Sequence, residues 1–459
     1  MKLKYLILFV FLICVNQLSV QGQNKNVRNG VMSEAYMNLW NRKVQKQIDK
    51  RIERNRKGDV KLEFVDENGD PVKSVSLVVH QKTNKFLFGC DAFVLGQLGS
   101  PQENKKYEEL FARICNFATI PIYWQGTEPQ KGKLRYSEGG EYMWRRPPAD
   151  RYIPFSKKYG ITLKAHPMLW HEHNPDWLPK DPDALKELYR KRFHELSNRY
   201  AKDIKFWEVT NESSGCHKTY PLYSEDRNYV PWAFREVSPL FGDNNIVMIN
   251  DFTHFNEDLP VENTFYYKQI SMMQKEVIRL QGIGFQFHLW FEPKLMEKYL
   301  AGERFKPETM MKVYDAYASL DCPLYITEIT VPTLKGDNGE LIQATVLRNL
   351  YRLWFSTPNM AGITYWNLGD ATAYGKEDTA MAGLVDKELN PKKSYNVLDE
   401  LINHEWKTNL NIKTNNKGKV GFRGFYGTYE IKININGKQQ SFEFEVSPSE
   451  TAVHRLTVR

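Results

Sequence analysis

Two glutamates in this chain stand where a pair of carboxylates could act on one bond. Glu212 ends the run Phe206-Trp207-Glu208-Val209-Thr210-Asn211-Glu212, and Glu328 ends Tyr325-Ile326-Thr327-Glu328. Both runs are rich in β-branched and aromatic residues, so each reads as a strand whose C-terminal end carries an acid. Such a pair can cleave a glycosidic bond. One carboxylic acid protonates the leaving oxygen and the other carboxylate attacks the anomeric carbon, provided the two lie roughly 5 to 5.5 Å apart. On this reading Glu212 is the general acid/base and Glu328 the nucleophile. Asn211 adds an amide that can hold the sugar 2-hydroxyl, a bond that strengthens as positive charge builds at the anomeric centre. A single glutamate at a strand end is usually structural; two of them, one preceded by Asn, favour catalysis.

Acids so far apart in sequence meet only if the fold gathers strand ends on one face. Over residues 85–403 the pattern is strand then helix, repeated. Candidate strands fall at 86–90, 114–121, 161–170, 204–212, 245–251, 283–289, 324–329 and 363–368. Helical stretches lie between them at 182–200, 261–280, 307–319 and 341–355, the first with Leu185, Leu188, Tyr189 and Phe193 on one face. Eight such units predict the α/β class and a TIM (β/α)8 barrel, whose strand ends form one functional face. They place Glu212 at the end of the fourth barrel strand and Glu328 at the end of the seventh. A doubly wound sheet would want a glycine-rich phosphate loop after its first strand, and Gly89-Cys90-Asp91 is not one.

A barrel takes about 250 residues, and this chain has 459, which leaves material at both ends. Residues 23–84 read as a polar helix followed by a small β-rich module, with Val60, Leu62 and Phe64, then Val75, Leu77 and Val79, alternating about an Asp66–Pro71 turn. Residues 404–459 return to period two and read as a C-terminal β-sandwich-like module. Residues 1–22 have the parts of a signal peptide: Lys2 and Lys4, an apolar run from Tyr5 to Val15, and a small-residue exit at Gly22. The expected location is therefore secreted or periplasmic, with cell-surface attachment as an option, and that run is too short to span a membrane.

The formal charge of +8 is spread along the chain without a basic run, which speaks against nucleic acid as a partner. Aromatics make up 13% of the residues, including 11 Trp and 25 Tyr, a supply of flat faces that suits sugar rings as well as the core. Cys90, Cys115, Cys216 and Cys322 show no CxxC spacing and read as buried thiols, with a Cys90–Cys115 bridge between neighbouring strands as the alternative. His171-Glu172-His173 lacks a third ligand motif, so no metal site is expected, and nothing implies a cofactor. Trp144-Arg145-Arg146 reads as a solvated loop, with a role lining a cleft for an acidic sugar as the sharper alternative.

The motifs, taken in order, resemble glycoside hydrolase family 10, best known for endo-β-1,4-xylanases. The resemblance runs from about Phe86 to Asn396. It is carried by His166-Pro167-Met168-Leu169-Trp170-His171, Trp207-Glu208-Val209-Thr210-Asn211-Glu212, Ile249-Asn250-Asp251-Phe252, Gly282-Ile283-Gly284-Phe285-Gln286-Phe287-His288, Ile326-Thr327-Glu328-Ile329, and Gly362-Ile363-Thr364-Tyr365-Trp366 with Asp370. The resemblance implies that Glu212 and Glu328 are the catalytic pair, that His166, Asn211 and Gln286 hold hydroxyls of the sugar in the −1 subsite, and that His288 hydrogen-bonds the nucleophile. It implies that Trp366 is the platform under that sugar, and it adds Trp170 and Tyr374 to the substrate-binding residues.

The departures cluster on the glycone side, where the non-leaving part of the glycan binds. The family's Glu-Asn-x-Met-Lys-Trp clamp in strand two is here the shorter Thr119-Ile120-Pro121-Ile122-Tyr123-Trp124. The residue two after the nucleophile, usually Asp, is Thr330, and the second aromatic after strand eight, usually Trp, is Tyr374. The expected function is thus a secreted retaining endo-β-glycanase, xylanase-like, acting through a covalent glycosyl-enzyme intermediate on a polysaccharide or oligosaccharide. The alternatives are a hydrolase of a different β-linked glycan, an acidic one among the options, or an exo-acting one with the same catalytic pair, and a noncatalytic carbohydrate-binding protein. The retained Asn211, Glu212, Gln286, His288 and Glu328 argue against the latter.

Overall fold

The computed structural model describes residues 30–255, 258–292, 294–435, 437–448 and 452–459. Segment 1–22, expected from the sequence to be a signal peptide, lies outside them. Two strands precede the barrel: β1 (Lys57–Val65) and β2 (Ser76–Gln81). Eight build it: β3 (Leu87–Asp91), β4 (Phe117–Pro121), β5 (Thr162–His166), β6 (Phe206–Asn211), β7 (Ile246–Phe252), β8 (Gly282–His288), β9 (Leu324–Thr330) and β10 (Met360–Tyr365). They close in the order β10-β3-β4-β5-β6-β7-β8-β9, with all neighbours parallel. All eight candidate strands of the repeat are therefore present, and the barrel is the TIM type.

The helices begin where local chemistry says they should. In Pro182–Tyr200, Asp181 caps the first turn by accepting from the Ala184 amide at 2.8 Å, and Pro182 takes the position where no amide hydrogen is needed. Leu185, Tyr189, Phe193 and Leu196 on its buried face then pack on the barrel. The polar helix expected near the N-terminus is two, Glu34–Leu39 and Arg42–Arg56, because Asn41 caps the second through the amides of Lys43 and Val44.

Strand periodicity stacks the barrel interior in layers, since residues i and i+2 point the same way. The floor is an apolar plug of Phe117, Phe206, Met248 and Tyr325. Two residues further along those strands the next layer is polar: Thr119, Glu208, Asn250 and Thr327, all buried, with Lys164 of β5 reaching Glu208. Above it lies the mouth, with Asn211, Gln286 and Glu328. Gly284 has no room for a side chain: a Cβ there would come 2.7 Å from Asn250 Oδ1 and 2.8 Å from Thr327 Cγ2.

The remaining strands are β11 (Asn409–Lys413), β12 (Lys419–Phe425), β13 (Gly427–Ile435), β14 (Lys438–Val446) and β15 (Ala452–Thr457). The two β-rich flanks, read from the sequence as separate modules, are halves of one sandwich. One sheet runs β12-β1-β15 and the other β11-β2-β13-β14. Alternating residues of both chain ends, among them Val60, Leu62, Leu77, Val79, Tyr429 and Ile431, fill a common core. Neither flank forms these sheets alone: β1 lies between β12 and β15, and β2 between β11 and β13. Trp406 ties this sandwich to the barrel by stacking on Phe355 with ring centres 4.0 Å apart. Cys90, Cys115, Cys216 and Cys322 are buried free thiols, so the Cys90–Cys115 bridge is not formed. No described helix is long and apolar enough to cross a membrane.

Candidate active site

The barrel's strand ends bring Glu212 and Glu328 into one hydrogen-bonded constellation. Register shifts occur between Glu208 and Thr210 on β6 and between Phe285 and Gln286 against β9. Such bulges re-aim side chains, and here the extra residues are Val209 on β6, just before Thr210 and Asn211, and Thr327 on β9, next to Glu328. Glu212 itself sits at φ 53, ψ 41, a left-handed conformation that a side chain adopts only when its surroundings hold it. The holding groups are visible. The Glu212 amide donates to the Asn250 carbonyl at 2.9 Å, and Asp251 receives the Ser214 amide at 2.9 Å and the Ser213 hydroxyl at 3.0 Å.

Amides link the two acids. Gln286 Nε2 donates to Glu212 Oε1 at 2.9 Å and to Asn211 Oδ1 at 3.2 Å. Asn250 Nδ2 reaches Glu328 Oε1 at 2.9 Å and Asn211 Oδ1 at 3.0 Å. Its orientation is set by Thr327, whose hydroxyl donates to Asn250 Oδ1 at 2.5 Å. Asn211 Nδ2 is buried without a protein partner, so one donor beside the two acids is left over for a ligand. Burial first, and the Glu328 charge second, push the Glu212 carboxyl up to about 8. Glu212 is thus an acid that keeps its proton at neutral pH, the property a general acid needs.

His288 faces Glu328 as expected, with Nε2 3.2 Å from Oε2. Its other nitrogen, Nδ1, meets the Thr330 hydroxyl at 2.9 Å. A hydroxyl can donate as well as accept, so a neutral ring satisfies both contacts, with Nε2–H on the carboxylate and Nδ1 accepting from Thr330. The position usually held by Asp therefore keeps a partner for His288 but gives up its charge.

Below this lies a second network that the sequence did not single out. His166 Nδ1 is 2.8 Å from Glu208 Oε1, and Lys164 Nζ is 2.7 Å from Glu208 Oε2, all three buried. Burial raises the proton affinity of Glu208, but His166 and Lys164 outweigh it and hold the carboxyl down at about 2. His166, Glu208 and Glu328 bring ligating atoms within 4.8 Å of one another. Lys164 already supplies the positive charge there, and the ligating atoms hydrogen-bond to protein partners. The second nitrogen of His166, Nε2, lies 3.0 Å from the Tyr123 hydroxyl. His166 is only 1% exposed, and both of its ring nitrogens face protein partners, Glu208 and Tyr123.

The glycone side is aromatic. Trp366 packs edge-on to Phe93 at 5.1 Å and to His166 at 5.4 Å, and Trp170 lies 5.8 Å from Tyr123. The Trp170 indole N–H is buried without a partner. Tyr374 is 53% exposed at the rim and donates its hydroxyl to the Trp144 carbonyl at 2.8 Å. The loop expected to be solvated is not: Arg145 is buried, hydrogen-bonds Asn367 and the Thr372 carbonyl, and lies 3.4 Å from Asp91. It joins the ends of the first and eighth barrel strands. His171 and His173 are each pushed down to about 4 by burial, and their neighbours are aromatic rings: Trp170 and His217 for His171, Trp170 and Tyr123 for His173.

A barrel with two acids held this way defines the class of glycoside hydrolases. The model of glycosyl hydrolase family 10 matches residues 91–401, well over half of the chain, and the chain belongs to that family. Among curated proteins it is 24% identical over 403 residues to anti-sigma-I factor RsgI6 of Acetivibrio thermocellus, an alignment covering 85% of this chain and 47% of that protein, so it spans about half the length of that relative. It is 24% identical over 329 residues to endo-1,4-beta-xylanase B of Thermotoga neapolitana, covering 66% of this chain and 85% of that one. The match to endo-1,4-beta-xylanase 5-like of Arabidopsis thaliana, also 24% identical, covers 93% of this chain and 70% of the other and so extends past the barrel. Among solved structures, xylanase 10B from Thermotoga petrophila in complex with xylobiose superposes with a TM-score of 0.57 at 19% identity, over 70% of this chain and 95% of that one. At that identity the likeness is one of fold.

Proposed function

We propose that this protein is a secreted, retaining endo-β-glycanase, xylanase-like in its reaction, with Glu212 as general acid/base and Glu328 as nucleophile. The observation that carries the reading is the pairing itself: Glu212 holds its proton up to about 8 because it is buried beside the charge of Glu328, while Asn250 and His288 hydrogen-bond Glu328. In the first step Glu328 attacks the anomeric carbon as Glu212 gives its proton to the leaving oxygen. In the second, Glu212, now a carboxylate, takes a proton from water, which displaces Glu328. On this reading Asn211 holds the 2-hydroxyl of the reacting sugar through its amide, and Trp366 lies against the sugar's C–H face. The family and the xylanases among the relatives support a β-1,4-linked polysaccharide. The pattern of residues 1–22 supports export.

The test is a panel of xylans, mixed-linkage glucans and acidic polysaccharides, incubated with the wild type and with Glu328→Ala, followed by analysis of released sugars. Oligosaccharides from the wild type alone are expected. Equal release by Glu328→Ala rules out the nucleophile assignment, and binding without release by the wild type favours a noncatalytic carbohydrate-binding protein.

A further inference from the structure

Half-buried cations in proteins ordinarily find a carboxylate. Arg145 does, in Asp91. Arg146, next to it, does not. Its guanidinium carbon lies 3.9 Å from the centre of the Tyr123 ring and 5.5 Å from that of Phe93. Its stem crosses Gly126, where a Cβ would come 3.1 Å from Arg146 Cδ, so the glycine leaves the space the arginine uses. Among the described residues, its one hydrogen-bond acceptor is the Arg145 carbonyl, 2.8 Å from Nη1. Most of the five N–H donors of the fork stay unfilled. The ring beneath it is fixed in turn, because the Tyr123 hydroxyl is bound to His166.

We propose that Arg146 reads an anionic substituent, a carboxylate or a sulfate ester, on a glycan sugar bound at the glycone side of the cleft. This rests on the reading of the barrel mouth as a glycan site and specifies its substrate class. A planar guanidinium presents paired donors that match either group, and stacking on Tyr123 holds them oriented before the ligand arrives. The unpartnered Trp170 indole, in contact with the same Tyr123 ring, offers a neutral donor for a hydroxyl nearby. The residues expected to clamp a neutral glycone by acid, amide and lysine are replaced by an aromatic wall with one uncompensated cation on it.

The experiment measures binding to the chain silenced by Glu328→Gln, with and without Arg146→Gln or Arg146→Lys. The probes are glucuronoxylan, its carboxyl-reduced form, a sulfated xylan and its desulfated form. The inference expects at least one anionic probe to bind about tenfold tighter than its neutralised partner, the difference vanishing in Arg146→Gln and partly returning in Arg146→Lys. Which pair shows the difference tells carboxylate from sulfate. Equal affinity within both pairs, no binding of either anionic probe, or a preference that persists in Arg146→Gln overturns it. A fall in neutral and anionic binding alike in Arg146→Gln assigns the residue to structure and also overturns it. Hydrolysis by the chain with Glu328 intact is scored separately. Cleavage without anionic preference refutes only the subsite, and anionic preference without cleavage of any polymer refutes only the hydrolase reading.

Discussion

At the scale of single residues, the account turns on the proton of Glu212. A carboxyl lifted to about 8 by burial and by the Glu328 charge delivers its proton only while it is protonated. Activity as kcat/KM should therefore fall on the alkaline side through about pH 8. Removing the Glu328 charge removes the second-largest cause after burial, so in Glu328→Gln the Glu212 titration, followed by carbon-13 NMR, should move down. An unmoved titration would mean that the two acids do not sense each other. Glu212, Glu328 and Asn211 were legible in the sequence because an acid at a strand end is a local pattern. Tyr123, Asn250 and Glu208 were not, because their importance comes from what they touch. Tyr123 matters because its hydroxyl meets His166 Nε2, and Glu208 because Lys164 and His166 neutralise it. The same holds for Arg145, which local polarity marks as a loop residue and which the fold buries against Asp91.

At the scale of elements, the proposed catalytic groups are carried by barrel strands whose inward positions repeat every second residue, interrupted just before the acid and amide side chains. Apolar strand runs and a capped helix start such as Asp181-Pro182 are written locally, which is why the eight strands and the Pro182–Tyr200 helix can be read off. The bulges on β6 and β9 leave no such signature, since an extra residue in a strand alters pairing and not composition. Gly284 offers a test at this scale. Its absent side chain is the space into which Asn250 and Thr327 fit, so Gly284→Ala should push Asn250 off Glu328. Overpacking of this kind costs roughly 1–3 kcal/mol, and the expected result is lower stability in denaturant together with a loss of kcat beyond what the stability change explains. Full activity with normal stability would show that Asn250 does not need its present position.

At the scale of the whole molecule, the chain's two ends meet. The pairing of β1 with β12 and β15, and of β2 with β11 and β13, joins residues hundreds of positions apart. Alternation in the sequence announces strands on either side of the barrel but carries no information about which strands pair, so one sandwich is read as two modules. This closure makes the flanks part of the barrel's stability. Trp406, stacked on Phe355 and 5.7 Å from Phe88, is the hinge of that contact. Trp406→Ala should cost about 3–5 kcal/mol and lower the melting temperature of the entire chain in one transition. A separate early transition for the sandwich, with the barrel unaffected, would show that the two parts fold independently.

The central claim is that Glu328 attacks sugar carbon directly. Proton NMR of the first product released from a cleaved β-linked polymer reads this before mutarotation scrambles the anomers. Two displacements at one carbon preserve configuration, so the account predicts that the β-anomer appears first and the α-anomer only later, at the mutarotation rate. An α-anomer at the earliest times would mean that water attacks in a single step, and Glu328 would have to be the base that activates it.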